Sequence, residues 1–496
     1  MAVETLLRRG LYRDSVTLMR LAAALEARPG VARASAVMAT PANLRMLAEH
    51  GVPAGGTEAG PNDLLIAVEG EDADVLARAL DEAAALLEGG DAPAASVAGA
   101  AAPPRPRSLA EARDALPEAT LALISCPGEY AAAEAAKALR LGLDAMIFSD
   151  NVPVGDEVAL KREAERRGRV VMGPDCGTAI VGGVPLGFAN RVRRGSVGVV
   201  GASGTGIQQA ACLIDRLGAG ISHAIGTGGR DLSREVGGAT TLRALAMLAE
   251  DEDTGTVVLV SKPPDEAVMR RVLDAAAETG KPVVACFVGA VPPPTLPAGM
   301  RFAATLDEAA ALAAGVAVAP ADIDLPRAAG RNRLVGLFSG GTLCYEAQAV
   351  AAPVLGRVLS NAPLDPGDTL DGDPGGAHVM LDLGDDAFTR GRPHPMIDYG
   401  PRLERIRDAA AAPDTAAILI DVVLGTGAHE DPAAALAPVI GEFDGPVAIG
   451  SVCGTEADPQ RLSRQEAALR EAGTIVAGSN AQAARIAARI ASGEGS

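Results

Sequence analysis

Two glycine-rich turns carry the residue types and spacing best suited to chemistry. VGVVGASGTGIQQA at 197–210 runs from an apolar stretch into Ser203, Gly204, Thr205 and Gly206, and LVGLFSGGTLCYEA at 334–347 runs into Ser339, Gly340, Gly341 and Thr342. A strand that ends in such a turn and opens a helix leaves the first helical N–H groups unpaired at the positive end of the helix dipole, where an anion is favoured. Two of them in one chain predict a phosphate held between opposed helix ends. The other reading of each turn is a tight strand-to-helix connection needed only for packing.

Cations and imidazoles stand elsewhere along the chain. Lys262 follows the apolar run VVLV and precedes Pro263 and Pro264, the carboxyl edge of a strand, where loops build sites; it is either a phosphate or carbonyl contact or a solubilising charge. Arg230 and Arg234 lie on the Gly-bounded loop GGRDLSREVGG, and either grip substrate or pair with Asp231 and Glu235. In HVMLDLGDDAFTRGRPHPMID at 378–398, Arg390 and Arg392 form a stiff cationic loop able to grip a carboxylate or phosphate in fork geometry, and His394 sits between two prolines. His378, His394 and the aspartates of this stretch match no metal-ligand spacing, so no metal is expected. Cys176 in GPDCGT has no nearby histidine and reads as a small buried residue in a turn.

The elements that must position these residues repeat. GTVVLVSKPPDEA at 255–267 is echoed by AAILIDVVLGTGA at 416–428, GKPVVACFVGA at 280–290 by DGPVAIGSVCGT at 444–455, and FAATLDEAAALAA at 302–314 by IVAGSNAQAARIAARI at 475–490. With the two turns this makes four matching pieces in one order, which favours duplication of a whole α/β unit. Upstream, strands and helices alternate from 119 as a βαβαβ unit, which predicts a parallel sheet. Residues 1–90 have the pattern of a small α+β layer, with Thr40 and Pro41 opening a helix, and 91–114 read as an Ala/Pro-rich linker. The expected fold class is α/β: a small N-terminal α+β domain at 1–90, a Rossmann-like domain at 115–192, and two tandem flavodoxin-like domains at 193–318 and 333–496 joined by a linker at 319–332.

Composition narrows the function. The 496 residues have 48% apolar content but only four tyrosines, seven phenylalanines and no tryptophan, so stacking platforms for bases are not expected. A formal charge of -19 repels nucleic acid and anionic membranes. No stretch has the length of a signal-peptide core or a membrane span, and the six cysteines lack CxxC spacing, so a cytoplasmic protein without disulfides is expected.

GPDCGTAIVGGVPLGFAN, VGVVGASGTGIQQ, SHAIGTGGRDLSREVGG, VSKPP and DLGDDAFTRGRPHPMID resemble the FdrA family, whose body is similar to succinyl-CoA synthetase. The likeness covers most of the chain. It implies that 115–192 is a CoA-binding-type domain and that 193–318 and 333–496 are ligase-type domains, whose paired helix ends face a phosphorylated histidine in the ligase. The ligase histidine follows the strand matched by 283–288, where this chain reads VVACFVGAVPPPTLP; its glutamate loop matches SKPP, with Lys262; and an ATP-grasp domain is missing. The resemblance therefore implies a subunit of oxamate carbamoyltransferase, acting with two other subunits in allantoin and purine-nitrogen breakdown. That enzyme interconverts oxalurate plus phosphate and oxamate plus carbamoyl phosphate. Ser203–Gly206 and Ser339–Thr342 would bind phosphate, Arg230 and Arg390 substrate, and Lys262, Arg392 and His394 would act in catalysis. Phosphate and carbamoyl phosphate enter as substrates, with no cofactor; coenzyme A stays open as a ligand near Glu129 and Tyr130. Two other readings stand beside this one: an acyl-CoA ligase subunit that borrows an ATP-grasp partner, and an anion-binding scaffold whose chemistry lies on another chain.

Overall fold

The computed structural model describes residues 2–13, 15–49, 59–89, 106–317, 325–326, 330–389 and 393–494. Arg390 and Arg392 lie outside the described residues. The chain divides into two compact units, one of 1–115 with 385–398 and the other of 116–384 with 399–496.

The first unit begins with β1 (Ala2–Arg8), α1 (Ser15–Glu26), β2 (Val31–Met38), α2 (Pro41–Glu49), β3 (Leu64–Gly70) and α3 (Ala73–Gly89), followed by α4 (Leu109–Ala115). Its antiparallel sheet has the order β1-β3-β2. Period-two alternation sends Leu64, Ile66 and Val68 of the central strand into one core with leucines of α1 and α3, and Leu65 and Ala67 into a second with Leu47 of α2. Thr40 accepts a hydrogen bond from the Asn43 N–H at 3.2 Å, so α2 starts where Thr40 and Pro41 predict.

In the second unit, β4 (Leu121–Ile124), α5 (Gly128–Arg140), β5 (Asp144–Ile147), α6 (Val154–Arg166) and β6 (Val171–Met172) form a parallel βαβαβ layer. The hairpin β7 (Thr178–Val181) and β8 (Val184–Gly187) precedes residue 192 in sequence but pairs with the following sheet, antiparallel to its edge strand. Hydrogen bonding thus runs across the boundary expected at 192/193.

The two repeated halves follow. The first comprises β9 (Arg194–Gly201), α7 (Gly204–Arg216), β10 (Ile221–Gly226), α8 (Ala239–Glu250), β11 (Thr256–Ser261), α9 (Glu266–Glu278), β12 (Val283–Phe287), β13 (Met300–Phe302) and α10 (Leu306–Ala314). The second comprises β14 (Arg333–Phe338), α11 (Gly341–Leu355), β15 (Val358–Leu359), β16 (His378–Asp382), α13 (Gly400–Ala411), β17 (Thr415–Val423), α14 (Pro432–Ile440), β18 (Val447–Cys453), α15 (Leu462–Glu471), β19 (Ile475–Ala477) and α16 (Asn480–Ala491); α12 (Asp386–Thr389) falls in the first unit. The strand orders are β13-β12-β11-β9-β10 and β19-β18-β17-β14-β16, one order used twice. These strands are buried on both faces, as near-continuous Val/Ile/Leu runs in parallel sheets require. Among the described residues, no helix is long and apolar enough to cross a membrane.

A buried charge cluster ties the βαβαβ layer to the first repeated half. Lys161 of α6, 4% exposed, bonds Asp231 at 2.7 Å, Glu157 at 2.9 Å and the Thr227 carbonyl at 3.0 Å. Asp231 also accepts from the Thr240 and Thr241 N–H groups and so caps α8. Removing one partner of such a cluster leaves the others charged and buried, which costs about 3–5 kcal/mol. Lys161→Ala is therefore expected to lower the thermal unfolding midpoint strongly; a midpoint within error of the parent would refute the tie.

Candidate functional site

The turns at 203–206 and 339–342 meet. Ser203 is the N-cap of α7; its hydroxyl accepts from the Gly206 N–H at 2.9 Å and lies 2.6 Å from the Thr342 hydroxyl on α11. The contact is reciprocal. Gly340, the N-cap of α11, packs against Thr205 of α7, and a Cβ built on Gly340 would lie 2.9 Å from Thr205 Oγ1. The cap of each helix thus touches the threonine two residues beyond the cap of the other, as at a two-fold interface. Gly204 and Thr205 on one helix, and Gly341, Thr342 and Leu343 on the other, have backbone N–H groups without a partner among the described residues. These donors converge at the positive ends of two long helices.

The remaining donors of the second turn are occupied. Asp421, in β17, accepts from the Ser339 N–H at 2.8 Å, the Gly340 N–H at 3.0 Å and the Ser339 hydroxyl at 3.0 Å. Ser339 and Gly340, expected to offer donors to phosphate, give them to the chain's own carboxylate. Asp421 is neutralised by Arg402 of α13, fully buried, whose Nη2 donates to Asp421 Oδ1 at 2.7 Å and to the Leu337 carbonyl at 2.7 Å. Asp382, at the end of β16, lies against Gly341.

Lys262 joins this group. Its Nζ sits 5.3 Å from the centroid of the Tyr345 ring, on the first turns of α11, and it makes no ion pair among the described residues. Burial pushes the Cys344 thiol well up, Asp382 adds to that, and Lys262 pulls the other way, so both charges flank the start of α11. Tyr345 escaped sequence reasoning because an aromatic one turn into an apolar helix looks like core.

Arg230 is not part of the group. It bonds Glu157 at 2.9 Å and the Val152 carbonyl at 2.8 Å, and so closes the Lys161 cluster instead of contacting either turn. The exposed Arg234 approaches Asp265 at 3.8 Å. Arg390 and Arg392 lie outside the described residues. His394 belongs to the other compact unit; burial lowers its pKa to about 4, and its Nδ1 accepts from the Met396 N–H at 3.2 Å, so at neutral pH the ring is uncharged with its proton on Nε2. Such a ring donates a hydrogen bond but does not supply an imidazolium. Cys176 is buried and its thiol pKa is pushed up to about 12 by burial, in keeping with a packing role.

The halves are locked around the joint by buried polar bonds. Glu346 of α11 accepts from the Leu306 N–H at 2.7 Å and from Asn480 at 2.8 Å. Asn190, ahead of β9, donates to the Leu424 carbonyl and to Asp458, both at 2.9 Å. Burial raises the Glu346 pKa to about 7, against the pull of its hydrogen bonds.

Two parallel α/β halves meet through their helix ends, and matches to domains of CoA ligases fall on both. The family described as "CoA-ligase" matches residues 337–490, "CoA binding domain" matches 192–289, and "AllF, heavy metal-associated domain" matches 1–103. YahF of Escherichia coli strain K12 is 39% identical over 504 aligned residues that cover 97% of each chain, and the protein belongs to that family. Subunit alpha 2 of the ADP-forming succinate–CoA ligase of Archaeoglobus fulgidus is 30% identical over 183 residues, 36% of this chain and 61% of that subunit. Among solved structures, the dinucleotide-forming acetyl-coenzyme A synthetase 1 of Ca. Korarchaeum cryptofilum aligns over 76% of this chain and 83% of its own, at 16% identity and a TM-score of 0.30.

The heavy metal in the name of the N-terminal family finds no matching cluster of ligands among the described residues. Residues 1–103 contain no cysteine, and the described residues hold no group of three or more His, Cys, Asp or Glu able to share a metal ion. At the first βα turn of the β4-β5-β6 layer, Glu129 stands in the first turn of α5 and the Asp150 carbonyl fills the side-chain position of Gly128. That turn lies outside residues 192–289, which the CoA-binding family matches, and its acidic first turn disfavours a diphosphate beside Glu129 and Tyr130.

The joint generates two tests. Gly340→Ala is expected to overpack it and cost about 1–3 kcal/mol, with part of the loss restored by Thr205→Gly in the double variant. Additive losses in thermal unfolding would rule out the contact. For Glu346, the folded pKa lies above the unfolded value, so its favourable contribution is complete below about 4.5 and lost as pH rises through about 7. Glu346→Gln should therefore be more stable than the parent at pH 8, by up to roughly 3 kcal/mol, with the gap closing toward pH 4.5; a gap constant with pH would contradict the buried carboxyl.

Proposed function

We propose that the chain is a subunit of an FdrA-type heteromeric carbamoyltransferase that interconverts oxalurate plus phosphate with oxamate plus carbamoyl phosphate. The observation that carries this reading is the meeting of α7 and α11, with five N–H groups unpaired among the described residues and Lys262 near the start of α11. In the direction of carbamoyl phosphate synthesis, a phosphate oxygen bonds to the carbamoyl carbon, the bond from that carbon to the oxamate nitrogen breaks, and the nitrogen takes up a proton. Such a transfer needs the phosphate held and neutralised and the two substrates aligned, with no covalent enzyme intermediate. The absence of histidine between Val283 and Pro297 suits that requirement, and the AllF-type N-terminal match supports the setting in allantoin nitrogen metabolism.

In this reading Gly204, Thr205, Gly341, Thr342 and Leu343 offer backbone donors, and Lys262 supplies the charge. Arg390 and Arg392, outside the described residues, and His394, in the other compact unit, are not assigned to this joint. The CoA-ligase matches favour a second reading, an acyl-CoA ligase subunit working with an ATP-grasp partner.

Reconstitution with partner subunits separates the two. The mixture should form carbamoyl phosphate from oxalurate and phosphate while the chain alone turns over little; ADP-dependent release of free CoA without carbamoyl phosphate would establish the ligase instead. Inorganic phosphate should raise the thermal midpoint of the isolated chain, and Lys262→Ala should weaken that phosphate affinity roughly tenfold or more, the worth of a charge-assisted hydrogen bond. An unchanged affinity would remove Lys262 from the site.

A further inference from the structure

Five residues beyond each helix cap, the two-fold relation of α7 and α11 places Gln208 and Tyr345 at equivalent positions. They are used differently. Gln208 is buried, and its amide donates to Asn190 Oδ1 at 3.0 Å and approaches the Leu424 carbonyl at 3.4 Å. Tyr345 is partly exposed and presents its ring to Lys262, at 5.3 Å from Nζ to centroid. The ring is backed by Gly289, in the loop after β12, where a Cβ would come within 3.0 Å of Tyr345 Cε1 and the backbone has φ of +78°. A side chain at 289 would push the ring from its place.

We propose that Tyr345 is a positioning residue that seats Lys262 at the joined helix ends, giving a symmetric scaffold a one-sided cation and hence one preferred place for an anion. A lysine ammonium is a point charge on a flexible four-carbon stem, and Lys262, with no ion pair among the described residues, has many rotamers to sample. The face of a fixed aromatic ring restricts it through the cation–π attraction. Three elements from both halves cooperate: β11 delivers the lysine, α11 delivers the ring, and the Gly289 loop backs the ring. The inference deepens the reading of the joint as an anion site and rests on it for the consequence, though not for the seat itself.

The test uses the full chain, inorganic phosphate as the probe, and the variants Tyr345→Phe, Tyr345→Leu, Lys262→Ala and Tyr345→Leu/Lys262→Ala. Phosphate affinity, read from the dose dependence of the thermal midpoint, should be held within about twofold by Tyr345→Phe and weakened by about threefold to thirtyfold by Tyr345→Leu. Adding Tyr345→Leu to Lys262→Ala should cause no further loss. A merely structural tyrosine would instead weaken binding equally in both backgrounds, and that result overturns the proposal, as does a Tyr345→Phe variant as impaired as Tyr345→Leu. A second measurement reads the seat without phosphate: modification of Lys262 by an amine reagent, followed by peptide mass spectrometry, should be faster in Tyr345→Leu than in the parent or Tyr345→Phe. Equal rates overturn the proposal. Altered rates in a chain whose midpoint ignores phosphate would keep the seat and sink the anion site, so the two failures are distinguishable.

Discussion

Two helix N-termini in direct contact are an electrostatic liability, and much of the second unit is arranged around it. Each end carries a partial positive charge of about half an elementary unit. The hydroxyl contact between Ser203 and Thr342 and the packing of Thr205 on Gly340 bring those ends together. The contact persists because the halves interlock elsewhere, through Glu346 with Leu306 and Asn480, and through Asn190 with Asp458. Asp307 adds to this by accepting from Ser479 at 2.8 Å. A frame of this kind keeps the unpaired N–H groups in place with no ligand bound, which is the preorganisation that makes electrostatic stabilisation effective.

Duplication explains the frame but not the charges within it. By strand register, the position of Asp421 in β17 corresponds to Val260 in β11, and that of Asp382 in β16 to Gly226 in β10. The second half therefore places two carboxylates around its turn, while the first half contributes Lys262. Asp421 and Arg402 form a fully buried pair, and such a pair contributes little net charge to its surroundings. Its effect is geometric. By holding Ser339 and Gly340, Asp421 fixes the entry into α11 and leaves the next three N–H groups without a partner among the described residues.

Much of this was legible in the sequence. Both turns, the order of the repeated pieces and the strand-end position of Lys262 follow from apolar runs broken by Gly, Ser and Thr. What was not legible depended on pairing between distant positions. Arg230 looks available on a Gly-bounded loop, yet its partner Glu157 is 73 residues away and buried. Asp421 left a usable signal, a lone acid inside the apolar run AAILIDVVL, which in a doubly buried strand must find partners. Its partner Arg402 gave no comparable sign, because an arginine in GPRLERIRD reads as a solvated helix face. The edge pairing of β7 and β8 was hidden for the same reason: strand partners are set in three dimensions.

The difference between this joint and that of a phosphohistidine ligase can be argued from volume as well as from missing residues. In the resemblance, the ligase histidine stands on the loop after the strand matched by β12. Here that loop turns at Gly289, and the space in front of it holds the Tyr345 ring with Lys262 over its face. A covalent carrier needs a nucleophilic side chain able to swing toward the helix ends, whereas a fixed ring and cation occupy volume without offering a nucleophile. The loop after β12 lacks the ligase histidine, and at a separate position the SKPP loop carries Lys262. The missing histidine and the added lysine thus fall on two loops that both adjoin the Tyr345 ring.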